Sequence, residues 1–259
     1  MNSLPHCYSR LHCWFRYFLM VISLTGFALM TSRARAQSDS GKSSSIGSYD
    51  RSGYSKQSRS VTYATQGMAA TSDLRATQAA LEILRAGGSA VDAAIAANAV
   101  LGVVEPMSCG IGGDLFSICW SPEDRVVIGL NASGRSPKLA TLEEYKKRKL
   151  DVIPTYGPLA WSVPGCVSGW QTLHEVYGQL PWEQLFAPAI RLAEEGFPVA
   201  PVIAGYWRGA EKRLAETPDA RKTFLIDGKA PREGDIFRNP NLAETYRLIA
   251  EQGATAFYD

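Results

Sequence analysis

One arginine is the strongest candidate for chemistry in this sequence. Arg135 lies in the segment Asn131-Ala-Ser-Gly-Arg-Ser-Pro137, with a glycine before it and a proline after it. Both neighbours restrict the backbone, and a guanidinium held in this way can bind a carboxylate through two parallel hydrogen bonds. Most arginines in such a segment are solvated surface residues. The residues alone therefore leave two interpretations open for Arg135, a carboxylate-binding residue and a surface residue.

A glycine-rich segment, Cys109-Gly-Ile-Gly-Gly113, is the second candidate. A phosphate-binding loop of the Walker type requires Gly-Lys-Ser/Thr after the loop, whereas aspartate and leucine follow here. A Rossmann loop follows a strand and has a third glycine, whereas a predicted helix precedes this segment. We therefore interpret Gly110, Gly112 and Gly113 as a structural turn that brings the backbone close to a neighbouring strand.

The remaining side chains offer little support for a catalytic or metal site. Ser168 lies in a GxxSG context rather than the GxSxG of a nucleophile elbow, and no base is visible near it. His174 is the only histidine after residue 36, which excludes a His-rich metal site. Cys109, Cys119 and Cys166 are odd in number and widely spaced, which fits neither a disulfide framework nor a CxxC metal site. We predict no metal, no cofactor and no catalytic nucleophile in this chain.

The composition indicates an ordinary globular protein. The chain has 259 residues, of which 46% are hydrophobic and 20% are charged, with a formal net charge of +2. This charge is too small to predict binding to nucleic acid or to an anionic membrane surface.

The first 36 residues predict a secretory signal. Arg10 and Arg16 precede an apolar run over residues 17–30, and Ala34-Arg-Ala36 follows. The run is shorter than the roughly 20 residues that a membrane span needs. We expect cleavage after Ala36 and export to the periplasm or beyond. An uncleaved signal anchor is the alternative, and it would be the only contact with a membrane.

Residues 37–60 are rich in serine and glycine and predict a flexible linker before a domain over residues 61–259. Hydrophobic periodicity and capping residues predict mostly helices in this domain. Thr71 or Ser72 would cap the first helix, and Ser89 with Asp92 would form a capping box for the second. The predicted helices cover residues 71–85, 89–104, 141–148, 168–177, 181–195, 201–216 and 239–252, and the predicted strands cover 61–65, 115–120 and 126–131.

Four short blocks in this domain carry a family resemblance. Their order and spacing resemble the γ-glutamyltranspeptidase (glutathione hydrolase) family from about residue 61 onward. The blocks are Gly67-Met-Ala-Ala70; Gly87-Gly-Ser-Ala-Val-Asp-Ala-Ala94; Val104-Glu-Pro106 with Gly110-Ile-Gly-Gly113; and Val163-Pro-Gly165 with Gly169-Trp170.

The resemblance implies an α+β fold, the αββα sandwich of the N-terminal-nucleophile hydrolases, incomplete in this chain. It also implies a proenzyme that cleaves itself into a large and a small subunit. The new N-terminal threonine attacks a γ-glutamyl amide, with its own α-amine as the base. We recognise no such cleavage site before Asp259. The nucleophile is therefore expected downstream, in a small subunit from the same precursor, and the chain alone is expected to be inactive.

The resemblance also implies a role for Arg135. In the family, an arginine near this position binds the α-carboxylate of the substrate. The usual motif resembles Arg-Glu-x-Ala-Pro, with the arginine four residues before the proline, whereas here Ser133 takes that place and Arg135 lies two residues before Pro137. This form resembles a divergent, acylase-like branch. The displaced arginine favours one alternative to γ-glutamyl transfer, a β-lactam (glutaryl or cephalosporin) acylase of the same family. The missing threonine supports another, a truncated, non-catalytic exported protein that binds small carboxylates.

Overall fold

A computed structural model of the chain describes residues 62–259. The predicted signal over residues 1–36 and the predicted linker over 37–60 lie outside the described residues. Across the described part, we find no helix with the length and apolarity needed to cross a membrane. The strand predicted over 61–65 is wrong for residues 62–65, which are exposed and irregular. A strand requires a hydrogen-bonded neighbour, and no described strand pairs with this segment.

Helices dominate the described residues, as predicted. The α-helices are α1 (Leu74–Arg85), α2 (Ala90–Val104), α3 (Leu142–Lys147), α4 (Cys166–Tyr177), α5 (Ala187–Glu195), α6 (Pro201–Leu214), α7 (Pro218–Phe224), α8 (Pro240–Gln252) and α9 (Thr255–Tyr258). The strands are β1 (Leu115–Ser121), β2 (Val126–Ala132), β3 (Phe197–Pro198) and β4 (Ile236–Phe237), and short 3₁₀ helices cover Pro158–Ala160 and Trp182–Phe186.

The two N-terminal helices form a hairpin. The predicted cap of α1 is wrong: Asp73 caps the helix by accepting a hydrogen bond from the Arg75 backbone N–H at 2.8 Å. The Thr71 hydroxyl donates instead to the Asp73 carbonyl oxygen at 2.6 Å. After α1, Gly87 has a φ of 90°, a conformation that favours glycine.

The predicted capping box of α2 is confirmed, and its acid does more than cap. Asp92 is fully buried, and its Oδ2 accepts the backbone N–H of Ser89 at 2.8 Å. The same oxygen accepts the N–H groups of Gln179 and Leu180 at 2.9 and 3.1 Å. One carboxylate therefore joins the start of α2 to the turn that follows α4.

The core lies between α2, α4, α5 and α8. As its all-round apolar sequence predicts, 11 of the 15 residues of α2 are buried. Three aromatic rings fill the centre: Phe186 lies 5.8 Å from Trp170 and 6.0 Å from Tyr246, measured between ring centroids. The Tyr246 hydroxyl donates to the Ala99 carbonyl oxygen at 3.0 Å. Complete burial raises the pKa of Tyr246, so this hydroxyl stays protonated.

Two details of the helical part differ from prediction. The helix predicted over 181–195 begins as a 3₁₀ segment and becomes α-helical only at Ala187. Pro188 explains the change, because proline has no N–H to donate and is accommodated in a first helical turn. Helices α7 and α9 were not predicted, since their seven and four residues are too few to show a clear period and none is buried.

Two antiparallel sheets of two strands each occur within residues 62–259. The larger pairs β1 with β2, with Leu115 opposite Ala132 and Trp120 opposite Val127. Strands β3 and β4 form the smaller sheet. This mixture of helices and small sheets is the predicted α+β class. The β1–β2 hairpin is important for the site because the chain leaves β2 directly into the segment that holds Arg135.

Candidate functional site

The backbone of Arg135 is fixed although its side chain is exposed. Directly after β2, the Arg135 carbonyl oxygen accepts the Val163 N–H at 2.8 Å in an isolated antiparallel bridge. Within residues 62–259, no carboxylate forms an ion pair with its guanidinium. The group is thus held at its base and presents its charge to solvent, as a residue that binds an anionic ligand requires.

Two glycines allow the Arg135 segment to cross the Val163-Pro-Gly165 segment at backbone contact. Gly134 has a φ of 80°, and a Cβ there would lie 1.8 Å from the Val163 carbonyl oxygen. A Cβ on Gly165 would lie 2.1 Å from the Ala132 carbonyl oxygen. No larger residue fits at either position without moving the backbone. The crossing therefore gives a physical reason for the Val163-Pro-Gly165 block recognised in the sequence.

A third glycine brings α4 against the hairpin. A Cβ on Gly169 would lie 2.6 Å from Leu115 Cδ2 and 2.7 Å from Ala132 Cβ. Helix α4 therefore lies directly on β1 and β2, and its first turn lies next to the crossing. Trp170, the next residue, is buried in the core.

The glycine-rich segment forms a turn at the same place. The Gly113 N–H donates to the Gly110 carbonyl oxygen at 3.1 Å, and the Gly113 carbonyl oxygen accepts the N–H groups of Gly165 and Cys166 at 3.0 and 3.1 Å. The expectation that this turn approaches a strand is wrong, because the backbone it contacts is the start of α4. At Gly112 a Cβ would meet no atom within 4 Å, so close approach does not require glycine there.

An open cavity of about 720 Å³ surrounds Arg135. Its polar lining comes from two cationic side chains, Arg135 and Lys138, from the amide of Asn131 and from hydroxyl groups. No aspartate or glutamate of the described residues lines it. The hydroxyl-bearing side chains are those of Ser133, Ser136, Ser168, Thr172 and Tyr258. A cavity of this charge and polarity suits a small carboxylate.

The surroundings of Ser168 and Cys166 do not support either side chain as a catalytic nucleophile. The Ser168 hydroxyl donates to the Gly165 carbonyl oxygen at 2.9 Å. His174, six residues further along the same helix, has its Nε2 2.8 Å from the Leu180 carbonyl oxygen. The two side chains therefore form no catalytic pair. Burial raises the pKa of the Cys166 thiol to about 12, so this thiol is protonated at neutral pH and inert.

Over the described range, no group of three or more histidine, cysteine, aspartate or glutamate side chains could hold a metal ion. Among the lining residues that were not recognised as site candidates in the sequence are Lys138 and Tyr258. Tyr258 lies in the closing segment Ala256-Phe-Tyr-Asp259, outside the four blocks that carry the resemblance. For Lys138 no motif was available.

Fold and site together define an α+β domain with a solvent-facing arginine, fixed through its backbone, in an open cavity without acidic lining residues. The sequence matches the family profile described as Gamma-glutamyltranspeptidase over residues 76–259. The chain belongs to the γ-glutamyltranspeptidase family.

Two curated relatives illustrate the match. Glutathione hydrolase 3 of Arabidopsis thaliana is 36% identical over 199 residues, covering 77% of this chain and 31% of the relative. The oxamate amidohydrolase proenzyme of Klebsiella pneumoniae is 42% identical over 200 residues, covering 75% of this chain and 37% of the relative. The chain thus spans about a third of the length of these relatives.

Two solved structures share the fold. The Helicobacter pylori γ-glutamyltranspeptidase superposes with a TM-score of 0.73 at 30% identity, covering 77% of this chain and 58% of that chain. The cephalosporin acylase of Bacillus halodurans superposes with a TM-score of 0.66 at 44% identity, covering 71% of this chain and 35% of that chain. The fold is that of the N-terminal-nucleophile hydrolases to which these neighbours belong, as predicted.

Proposed function

We propose that this chain supplies the carboxylate-binding part of an enzyme that hydrolyses or transfers γ-glutamyl groups of glutathione and related amides. The observation that carries the proposal is Arg135, clamped through its backbone and facing a cationic, hydroxyl-lined cavity. Membership of the γ-glutamyltranspeptidase family supplies the reaction class.

In the proposed reaction, the Arg135 guanidinium binds the α-carboxylate of the γ-glutamyl group and orients the scissile amide. The hydroxyl of an N-terminal threonine outside this chain attacks the γ-carbonyl carbon, and its proton passes through the threonine α-amine to the leaving amine. A γ-glutamyl ester on the threonine results. Water hydrolyses this ester to glutamate, or the amine of an acceptor displaces the threonine oxygen to form a new amide.

A second polypeptide from the same precursor is the proposed partner. The relative from Klebsiella pneumoniae is described as a proenzyme, which fits a precursor cut into two subunits. The outer face of the β1–β2 hairpin exposes Phe116, Ile118 and Trp120. The outward face of an antiparallel sheet is usually polar, so exposed large apolar side chains in this position are typical of a surface that a partner covers. We propose that the small subunit covers this face.

A second candidate is the acylase reaction on a glutaryl or similar dicarboxylic amide. It is favoured by the 44% identity to the Bacillus halodurans acylase, against 30% to the Helicobacter pylori transpeptidase. The displaced position of Arg135, two residues before Pro137, points the same way. A glutaryl group has the carboxylate for Arg135 and lacks the α-ammonium group of a γ-glutamyl substrate.

The deciding experiment is steady-state kinetics of the complete, processed enzyme with the Arg135→Ala substitution, using a γ-glutamyl anilide and a glutaryl amide. Loss of a charge-assisted bidentate contact costs about 1.5–3 kcal/mol, or roughly 10- to 150-fold in KM. Arg85→Ala, an exposed arginine in the last turn of α1, is the matched control and should leave KM unchanged.

Each outcome has a distinct meaning. A higher kcat/KM of the unsubstituted enzyme for the γ-glutamyl anilide would favour the γ-glutamyl reaction, and a higher value for the glutaryl amide would favour the acylase reaction. An unchanged KM for both substrates in the Arg135→Ala variant would remove the carboxylate-binding role. Binding of a small carboxylate without turnover of either amide would favour the non-catalytic alternative.

We propose in addition that the protein is exported and that its signal is cleaved after Ala36. The basic start, the short apolar run and the Ala-x-Ala sequence support this proposal. N-terminal sequencing of the protein purified from its source should give Gln37 as the first residue of the large subunit. Retention of Met1 would establish the uncleaved anchor instead.

A further inference from the structure

The hydroxyl of Tyr258 makes two hydrogen bonds to the backbone beside the candidate site. It donates to the Pro164 carbonyl oxygen at 2.9 Å and accepts the Ser168 N–H at 3.1 Å. Pro164 and Ser168 are 94 and 90 residues away along the chain. Tyr258 is 39% exposed and lines the same cavity as Arg135.

These two bonds lie on the segment that supports Arg135. Val163 donates its N–H to the Arg135 carbonyl oxygen, and Pro164 is the next residue. On the other side, Gly165 touches the backbone at Ala132 and Gly134. Pro164 has no N–H of its own, so its carbonyl is the backbone hydrogen-bonding group through which it can be held. Tyr258 supplies the donor for that carbonyl.

The bond to Ser168 fixes the other end of the segment. The first turn of α4 has no side-chain cap, because Gly165 stands at the capping position. Gly113 accepts the N–H of Cys166, and Tyr258 accepts the N–H of Ser168. Tyr258 therefore takes over part of the capping function, and it joins the crossing and the helix start through one oxygen atom.

We propose that Tyr258 is a positioning residue for substrate binding: through Pro164 and Ser168, its hydroxyl holds the Val163–Gly165 segment in the place where that segment fixes Arg135. This inference rests on the proposed role of Arg135 as the residue that binds the substrate carboxylate. In this role, Tyr258 affects KM only because it keeps Arg135 in position. A merely structural anchor for α9 would instead affect stability and the amount of folded enzyme.

The test is Tyr258→Phe in the complete, processed enzyme, with KM and kcat measured separately for a γ-glutamyl anilide and a glutaryl amide. The substitution keeps the ring, and hence its contact with Phe257 at 5.0 Å between centroids, and removes only the hydroxyl. We expect KM to rise about 3- to 10-fold for the carboxylate substrate that the enzyme prefers, with kcat nearly unchanged. Tyr206→Phe, which removes the hydroxyl of a tyrosine outside the cavity, is the matched control and should leave KM as it is.

A double substitution separates the possible outcomes. Tyr258→Phe added to Arg135→Ala should raise KM no further, because the arginine through which Tyr258 acts is gone. Suppose that Arg135→Ala raises KM, whereas Tyr258→Phe leaves KM unchanged or lowers only Tm and kcat. The inference is then overturned while the proposed function stands. If the two effects multiply, Tyr258 acts independently and the positioning role is overturned. If Arg135→Ala itself leaves KM unchanged, the proposed binding site fails first and the inference fails with it.

Discussion

The helical core and the β1–β2 face of the domain differ in how completely they bury their apolar residues. Helix α2 is enclosed by α1, α4 and α5, and the rings of Trp170, Phe186 and Tyr246 are at most 1% exposed. On the hairpin, Ile118 is 82% exposed and Phe116 and Trp120 are more than half exposed. The core is thus completed by contacts within the described residues, whereas the hairpin has one apolar face that these residues do not cover.

The core region contributes mainly to stability, whereas the candidate site lies where the core meets the hairpin. The core residues make aromatic and aliphatic contacts that hold α2, α4, α5 and α8 together. The candidate site lies at the border of the two regions, where β2 leads into Gly134 and Arg135 and where α4 begins. The core therefore positions α4, and α4 with the hairpin positions the arginine.

The largest effect is expected in the core. Phe186→Ala in the complete enzyme should lower the free energy of unfolding by about 3–5 kcal/mol, because a fully buried ring leaves a cavity among Trp170, Trp182 and Tyr246. Denaturant unfolding measures the change. Tyr206→Ala, which removes a ring that is 62% exposed, is the control and should change it by no more than about 0.5 kcal/mol. Equal losses for the two variants would contradict the assignment of the core.

An intermediate effect is expected at the border. Gly134→Ala should lower the free energy of unfolding by about 3 kcal/mol. Alanine is strained at positive φ, and its Cβ would overlap the Val163 carbonyl oxygen. Because the same crossing fixes Arg135, KM for a carboxylate substrate should rise as well. Gly112→Ala, where a Cβ has open space and φ is not positive, should be close to neutral in both measurements. A stable Gly134→Ala variant with unchanged KM would show that the crossing does not position the arginine.

The smallest effect is expected on the hairpin face, and it tests the comparison itself. Ile118→Ser in the complete enzyme should lower the free energy of unfolding by about 2 kcal/mol if the proposed small subunit buries this side chain. Ile153→Ser, at an exposed loop position, is the matched control and should have little effect. Indistinguishable results for the two isoleucines would mean that the hairpin face remains in contact with water.

Much of the helical framework was predictable because its signals are local. Ser89 and Asp92 are three residues apart, and Asn239 with Pro240 marks the start of α8, where the Asn239 side chain accepts the Leu242 N–H at 3.1 Å. The hairpin was also predictable, since its turn lies between two short apolar runs. Local competition explains the wrong cap of α1, where three consecutive residues, Thr71, Ser72 and Asp73, can all accept a helix N–H.

The sequence by itself determined the family, the class of fold, the order of most of the helices and the arginine at the centre of the candidate site. Only the tertiary structure decided what holds that arginine in place. The contacts that do so join Gly134 to Val163, Gly113 to Gly165 and Tyr258 to Pro164, over separations of 29 to 94 residues. Such contacts depend on distances between segments, and no local pattern of residue types encodes a distance. Asp92 shows the same difference. Its capping role is predictable from the neighbouring residues in the sequence, whereas its hydrogen bonds to Gln179 and Leu180 are not.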